Sequence, residues 1–212
     1  LNVFWVTSIL GFAVGASLFG AITFLPLYLQ IAEGSTPTGS GLQLIPLTLG
    51  IVAASTLAGI YMGKTGKYKI LTHLGTGLLT LGMVSLTQID AQTGMVLFSA
   101  QLVLVGLGMG CIFPVLTTAV QNAVPRQALG TATAAGILLR QSGGALGVAA
   151  FGALFSVRLV TGLGEASAEL GGGAQLGPQM IAQLSPEMKA LVADAVINAI
   201  HPIYWIAAAM GL

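Results

Sequence analysis

Long stretches of this chain contain no charged side chain. The 212 residues include only seven Lys or Arg and six Asp or Glu, and none of these falls in residues 1–32 or 34–63. Residues 70–89 and 91–125 are also uncharged apart from His73. Each stretch is apolar and about 20 residues or longer, which is roughly what an α-helix needs to cross a hydrocarbon core about 30 Å thick.

Lipid restricts the fold class of such stretches. Because the bilayer core holds no water, every backbone N–H and C=O group must be paired within the protein, so only α-helices and closed β-barrels span it. The stretches do not alternate with period 2, which favours helices. Charged residues are 6% of the chain and mean hydropathy is +0.93, whereas soluble domains carry about 25% charged residues. We therefore predict an all-α membrane protein in contact with the lipid bilayer.

Six membrane-spanning helices, A to F, are predicted, which makes the fold a six-helix bundle. The first five spans cover approximately residues 4–29, 41–62, 70–86, 95–121 and 128–157. The connections between these five are short, and they contain residues typical of turns and loops.

The last part of the chain permits two interpretations. Residues 158–189 are rich in Gly and carry prolines and acidic residues, which predicts an external polar loop. We expect residues 190–212 to form an amphipathic lead-in on the membrane surface and then a sixth span, which starts near Ile200 and is truncated by the end of the chain. The alternative is one span from about Leu191 to Leu212, in which a buried Asp194 would be expensive.

Basic residues in the short loops predict the orientation of the bundle. Lys64, Lys67 and Lys69 lie between spans B and C, Arg126 lies between spans D and E, and the other short loops have none. Because Lys and Arg accumulate in cytoplasmic loops, these loops and both ends of the six-helix unit are expected in the cytoplasm. Spans A–C and D–F then cross in opposite senses, as in the inverted three-helix repeats of transporters.

Arg140 is the one charged residue within spans A to E. It lies about 18 Å along span E, near mid-bilayer, where an arginine costs at least about 2.5–3.5 kcal/mol on insertion scales. Its side chain should therefore face the protein interior or a cavity. Two roles stay open. Arg140 either ties span E to span D, with Gln101 or Gln141 as a partner, or it lines a transport path or pairs with a carboxylate from outside this sequence.

Acidic residues are absent from spans A to E. A carrier that exchanges protons needs a carboxylate to bind and release them. Within this sequence only Glu33 and Asp90 could reach in from loops, and both are expected to be solvated turn residues at the external ends. We therefore expect any proton-binding acid to lie outside these residues.

Small residues recur four positions apart along several spans. Gly106 and Gly110 do so on span D, and Gly143 and Gly147 do so on span E. This spacing places small residues on one helix face and lets a neighbouring helix approach closely. Two uses stay open, namely static packing of the bundle and smooth surfaces on which helices slide or rock.

Enzymatic, metal-binding and nucleic-acid-binding classes have no support in the sequence. His73 and His201 are isolated on different predicted helices, without a Ser/His/Asp arrangement or a metal-ligand cluster. Three lysines around one loop are too few and too local for a nucleic-acid interface. We therefore expect no enzyme, cofactor, metal or nucleic-acid partner.

The order of several motifs along the chain is familiar. Span A ends with Phe24-Leu25-Pro26-Leu27-Tyr28-Leu29-Gln30, and span B closes with Ala58-Gly59-x-x-x-Gly63-Lys64-x-Gly66-Lys67-Tyr68-Lys69. Span D runs from Gly106-x-Gly108-x-Gly110 into Gln121-Asn122-Ala123-Val124-Pro125, and span E carries Arg140-Gln141-Ser142-Gly143-Gly144-x-x-Gly147. This order resembles the carboxy-terminal half of a major facilitator superfamily transporter, in the fourteen-span drug:proton antiporter branch of bacterial multidrug exporters.

The resemblance implies one half of an alternating-access carrier in the bacterial inner membrane, whose partner is an amino-terminal half that holds the proton-binding acids. Spans A, B, D and E would line or flank a central cavity for a small amphiphilic drug or metabolite, exported in exchange for protons. The polar candidates for that cavity are Thr23, Gln101, Thr117, Arg140 and Gln141. The alternatives are a metabolite-importing facilitator of the same fold and a membrane sensor or assembly subunit that transports nothing.

Two glycine-containing motifs are also implied by the resemblance. A cytoplasmic loop signature matches Gly59, Gly63, Lys64, Gly66, Lys67 and Lys69, but it lacks the usual acidic residue and has lysines in place of arginines. Gly143 and Gly144 match a helix-packing motif of exporters. The predicted helix-packing set is then Gly106, Gly110, Gly143, Gly144 and Gly147.

Overall fold

Helices make up all of the regular structure in the part of the chain that the computed structural model describes, residues 2–31, 34–89, 93–164 and 185–210. Eight α-helices and one short 3-10 turn follow each other there. They are α1 (Asn2–Thr23), α2 (Leu25–Ile31), α3 (Pro37–Gln43), α4 (Ile45–Thr65), α5 (Lys69–Leu86), α6 (Met95–Asn122), the 3-10 turn (Arg126–Ala128), α7 (Leu129–Leu163) and α8 (Pro186–Met210). The predicted all-α fold class is confirmed.

Several of these helices are long and apolar enough to cross a membrane. Among the described residues, five segments qualify by length and composition: Pro37–Thr65, Lys69–Leu86, Met95–Asn122, Arg126–Leu163 and Glu187–Met210. In α1 the apolar stretch is shorter, Trp5–Phe19. In chain order, α1 with α2, α3 with α4, and then α5, α6, α7 and α8 correspond to spans A to F.

Two of the predicted spans are divided close to a proline. Predicted span A is divided into α1 and α2 at Phe24. Helix α4 forms most of predicted span B, and Leu44 separates it from α3, which begins before the predicted span. Pro26 and Pro46 are each the second residue of the helix that follows. Proline fits the first turn of a helix, where its missing N–H loses no partner, but its ring clashes with the carbonyl four residues earlier. Proline within an apolar stretch favours a kink, and the breaks in spans A and B lie next to these two prolines.

Helix α7 is longer than the predicted span E. It continues to Leu163, into residues that the sequence assigned to the 158–189 loop. Phe155, Leu159 and Leu163 follow each other at i+4 spacing and are buried, so the apolar face continues beyond the predicted end. Arg158 is exposed on another side of the helix and does not interrupt that face.

Helix α8 is continuous from Pro186 to Met210, whereas the preferred sequence interpretation had a surface lead-in and a span from near Ile200. Val192 and Val196 are fully buried on its packed face, and Asp194 is exposed on another side. The continuous helix therefore keeps Asp194 off the packed face of the bundle. The rest of the predicted loop, residues 165–184, and residues 211–212 lie outside the described residues.

Helix α8 closes one side of the bundle. It packs against α1, α5 and α7. Ile203 and Tyr204 on its inner face are almost completely buried. The ring nitrogen Nε2 of His201 lies 3.1 Å from the carbonyl oxygen of Ile89, just after α5. This contact and the buried face fix α8 against the remaining helices.

Helices α4 and α6 meet backbone to backbone at glycines. A Cβ placed on Gly110 of α6 would lie 2.5 Å from the carbonyl oxygen of Ile51 in α4, and one on Gly106 would overlap the carbonyl oxygen of Leu47. Both glycines belong to the predicted helix-packing set. Only the missing side chain allows such an approach, which gives close van der Waals contact between the helices.

Helices α1 and α7 approach each other in the same way. A Cβ on Gly143 or Gly147 of α7 would overlap the carbonyl oxygen of Phe12 or Ala16 in α1, respectively. A Cβ on Gly144 would lie 2.8 Å from an aromatic ring atom of α1. The bundle therefore contains tightly packed pairs at α1 with α7 and at α4 with α6. Helix α5 meets α6 in the same way, because a Cβ on Gly108 of α6 would lie 2.6 Å from the backbone nitrogen of Leu79.

We predict that Gly147→Ala destabilises the protein by about 1–3 kcal/mol, because the added methyl group overpacks a backbone contact. The matched control is Gly152→Ala in the same helix, where the nearest atom to an added Cβ is 3.9 Å away. The control should be neutral or slightly stabilising, since Ala is the better helix former. Thermal unfolding of both variants of the full-length protein in detergent measures the difference, and equal midpoints would contradict the packing described here.

Candidate functional site

A groove opens between α4, α6 and α7. Its volume is about 610 Å³, within the range of roughly 300–1,000 Å³ that small-molecule sites occupy. The lining residues are Ser55, Gly59, Met62 and Gly63 from α4, Phe113, Pro114, Thr117 and Thr118 from α6, and Arg140 from α7. The groove therefore combines an apolar surface with hydroxyl groups and one positive charge.

The position of Arg140 is set by the contact between α1 and α7. A Cβ on Gly15 of α1 would overlap the carbonyl oxygen of Arg140, and one on Gly11 would lie 3.9 Å from the Cβ of Arg140. Arg140 lies about 17 Å from the start of α7, at about 1.5 Å per residue. The close helix contact holds its backbone there, and its side chain extends towards α6.

The guanidinium group of Arg140 contacts an aromatic ring across the groove. Its Cζ atom lies 4.8 Å from the ring centroid of Phe113 in α6, a distance typical of a cation–π interaction. Among the described residues it forms no hydrogen bond and no ion pair. Glu33 and Asp90, the loop acids named from the sequence, lie outside the described residues.

Gln101, one of the two partners suggested for Arg140, lies elsewhere in the bundle. Its side chain is buried, and its Nε2 donates a hydrogen bond of 2.9 Å to the carbonyl oxygen of Ser85 at the end of α5. Its Oε1 atom is buried without a hydrogen-bond partner. Gln101 thus connects α6 to α5, and Phe113 is the residue of α6 that meets Arg140.

A small, partly open cavity of about 20 Å³ also borders Arg140, between α1, α6 and α7. It is lined by Thr7, Gly11, Leu116, Thr117, Val120, Thr133, Gly136, Ile137 and Arg140. The Thr117 hydroxyl donates a hydrogen bond of 3.1 Å to the carbonyl oxygen of Phe113. Thr117 and Arg140 line both the small cavity and the open groove.

Of the five cavity candidates named from the sequence, the structure brings Thr117 and Arg140 together. Thr23 is exposed at the end of α1, where its hydroxyl donates a hydrogen bond of 2.6 Å to the carbonyl oxygen of Phe19. Gln141 is exposed beside Arg140 and does not line the groove. Neither of these two side chains, nor Gln101, takes part in the groove.

Five groove residues were not predicted as site residues from the sequence: Ser55, Met62, Phe113, Pro114 and Thr118. Ser55 was detectable, because Ser55, Gly59 and Gly63 follow each other at i+4 spacing and must share one face of α4. Thr118 is the neighbour of the predicted Thr117. Phe113 carried no comparable signal, since an aromatic residue in an apolar helix usually faces lipid or the core.

The residues of the predicted loop signature divide between two places. Gly59 and Gly63 line the groove at the end of α4. Gly66 caps α4 in the left-handed conformation, with φ of 66°, and its N–H donates a hydrogen bond of 2.9 Å to the carbonyl oxygen of Met62, a backbone geometry that favours glycine. The three lysines around this turn, Lys64, Lys67 and Lys69, are exposed.

Comparison with known proteins identifies the family. Residues 1–148 match the model of the Major Facilitator Superfamily, and the chain belongs to this superfamily of multi-pass membrane transporters. It is 36% identical over 204 residues to an uncharacterized MFS-type transporter of Mycobacterium tuberculosis, a match that covers 95% of this chain and 30% of the relative. The chain thus spans less than a third of that relative's length.

Two further relatives carry descriptive names. A tetracycline resistance determinant of Streptomyces rimosus is 34% identical over 157 residues, which is 74% of this chain and 44% of the relative. The multidrug transporter protein MdtP of Bacillus subtilis is 31% identical over 157 residues, which is 73% of this chain and 28% of the relative. The family is therefore one of transporters rather than enzymes, and it includes efflux proteins.

We predict that Gln101→Leu leaves substrate transport by the full-length protein within about twofold of the wild type. The substitution removes one hydrogen bond but also an unpartnered buried oxygen, so its effect on folding should be small. Ser55→Leu, which fills the groove, should reduce transport much more. Accumulation of a fluorescent substrate in cells, normalised to the amount of protein in the membrane, compares the two variants. A change of substrate profile in Gln101→Leu would place Gln101 in the transport path instead.

Proposed function

We propose that the full-length protein exports small amphiphilic compounds across the bacterial inner membrane in exchange for protons, by alternating access. This chain supplies the helices on one side of the central cavity, and an amino-terminal half supplies the other side. The groove between α4, α6 and α7 carries the proposal, because it combines an apolar wall, hydroxyl groups and the charge of Arg140 in a volume of about 610 Å³. The names of the tetracycline resistance and multidrug relatives support export.

Under this proposal, the carboxylate that binds the proton lies in the remainder of the full-length protein. Among the described residues the carboxylates are Glu187 and Asp194, and both are exposed on α8, away from the groove. The proposal also orients the bundle. The turn between α4 and α5, with its three exposed lysines, and the turn between α6 and α7, with Arg126, lie in the cytoplasm.

The experiment expresses the full-length protein in a bacterial host that lacks its own exporters. We expect lower accumulation of an amphiphilic dye in the expressing cells, and loss of that difference when an uncoupler collapses the proton gradient. Everted membrane vesicles report direction, since an exporter fills them with dye. Dye uptake by intact cells would favour the importing facilitator, and the absence of any transport would favour the sensor or assembly subunit.

We predict that Arg140→Ala reduces this export by about tenfold or more. A charge-assisted contact between the guanidinium and a bound substrate would contribute about 1.5–3 kcal/mol, and the substitution removes it. Arg126→Ala is the matched control, since Arg126 is exposed in the turn before α7. Initial rates of dye export at equal membrane levels provide the comparison. Equal rates in the two variants would remove Arg140 from the transport path.

A further inference from the structure

The groove contains a positive charge without a counter-charge. Arg140 interacts with the ring of Phe113 and, within the described residues, with no carboxylate. A charge in a membrane-spanning helix is expensive unless it is paired. A ligand that brings a negative charge into the groove would satisfy this unpaired group.

The surroundings of Arg140 match an anionic head group. A guanidinium presents five N–H donors in a planar fork that fits a carboxylate or phosphate in a bidentate manner. The hydroxyl groups of Ser55 and Thr118 line the same groove, and within the described residues no hydrogen bond occupies them. Both hydroxyls can donate to an anionic oxygen. The groove therefore offers several donors and no carboxylate of its own that would repel an anion.

The rest of the groove suits the apolar part of an amphiphile. Met62 and Pro114 supply apolar surface, and Gly59 and Gly63 leave space along α4 because nothing lies within 4 Å of a Cβ placed on either. The Phe113 ring lies under the guanidinium, and its half-buried side chain lines the groove, where it can contact a planar hydrophobic ligand. A flat molecule would thus lie along α4 with its charged end at Arg140.

We propose, on the basis of the proposed transport function, that this groove selects amphiphilic organic anions, whose carboxylate or similar group binds Arg140. Arg140 then acts as the specificity-determining residue of this half of the transporter. The molecule that best fits is planar and apolar, with one carboxylate at its edge. An uncharged ester of the same molecule lacks the group that Arg140 recognises.

The test uses the full-length protein in lipid nanodiscs and two fluorescent probes: anthracene-9-carboxylic acid and its uncharged methyl ester. Binding is followed by fluorescence anisotropy at one ionic strength. We expect the acid to bind about tenfold or more tightly than the ester, as one charge-assisted contact allows. Arg140→Gln should weaken binding of the acid by a similar factor and binding of the ester by less than about threefold.

Two variants sharpen the comparison. Arg140→Lys keeps the charge and loses the planar fork, so it should retain part of the preference for the acid. Arg126→Gln should not change either affinity, because Arg126 lies in an exposed turn outside the groove. If Arg140→Gln does not fold, the ratio of the two affinities in the wild type and in Arg140→Lys still decides the matter.

Several results would overturn the inference. Equal affinities for acid and ester in the wild type would show that the charge is not recognised. An equal loss of both affinities in Arg140→Gln would show that Arg140 is structural or is paired with a carboxylate elsewhere in the protein. The proposed export is tested separately with proteoliposomes and an imposed proton gradient. Selective binding without export would contradict that function alone, whereas export of the ester in preference to the acid would contradict the anion selectivity alone.

Discussion

Contact between the backbones of neighbouring helices is the constraint on which the rest of this structure depends. Carbonyl oxygens of α1 and α4 occupy the places where side chains on Gly147 and Gly106 would otherwise begin. In a bilayer the hydrophobic effect does not draw helices together, so close van der Waals contact of this kind has to hold them. The α4–α6 pair and helix α7, which packs on α1, together line the groove.

The same packing places the one charge of the groove. Because Gly15 lets α1 approach the backbone of Arg140, the arginine stands at a fixed depth and reaches towards Phe113 on α6. Arg140 thus takes part both in the contact between α1 and α7 and in the lining of the groove. A change that moves α1 away from α7 would displace the guanidinium as well, so stability and specificity are expected to vary together at this contact.

The long helices could be predicted from the sequence because lipid imposes a simple requirement on backbone hydrogen bonds. The position of the helix break at Phe24 was harder to predict, because a proline does not always divide a helix. Pro114, for example, lies inside α6 without dividing it. Arg140 could be identified from the sequence as a candidate site residue, because a charged side chain in an apolar helix has few acceptable environments. The hydrogen bond of Gln101 to the backbone carbonyl of Ser85 could not be predicted, because no sequence pattern reveals such a partner.

The position of Arg140 in an apolar stretch of α7 also has a consequence for biosynthesis. When this segment leaves the ribosome and enters the translocon, the groove does not yet exist, so the penalty of about 2.5–3.5 kcal/mol must be offset within the segment itself. Each Leu, Ile, Phe or Val contributes about −0.3 to −0.6 kcal/mol near the centre of a helix, and α7 carries many of them along its 35 residues. The segment can therefore partition into the membrane before its neighbours arrive to enclose the charge.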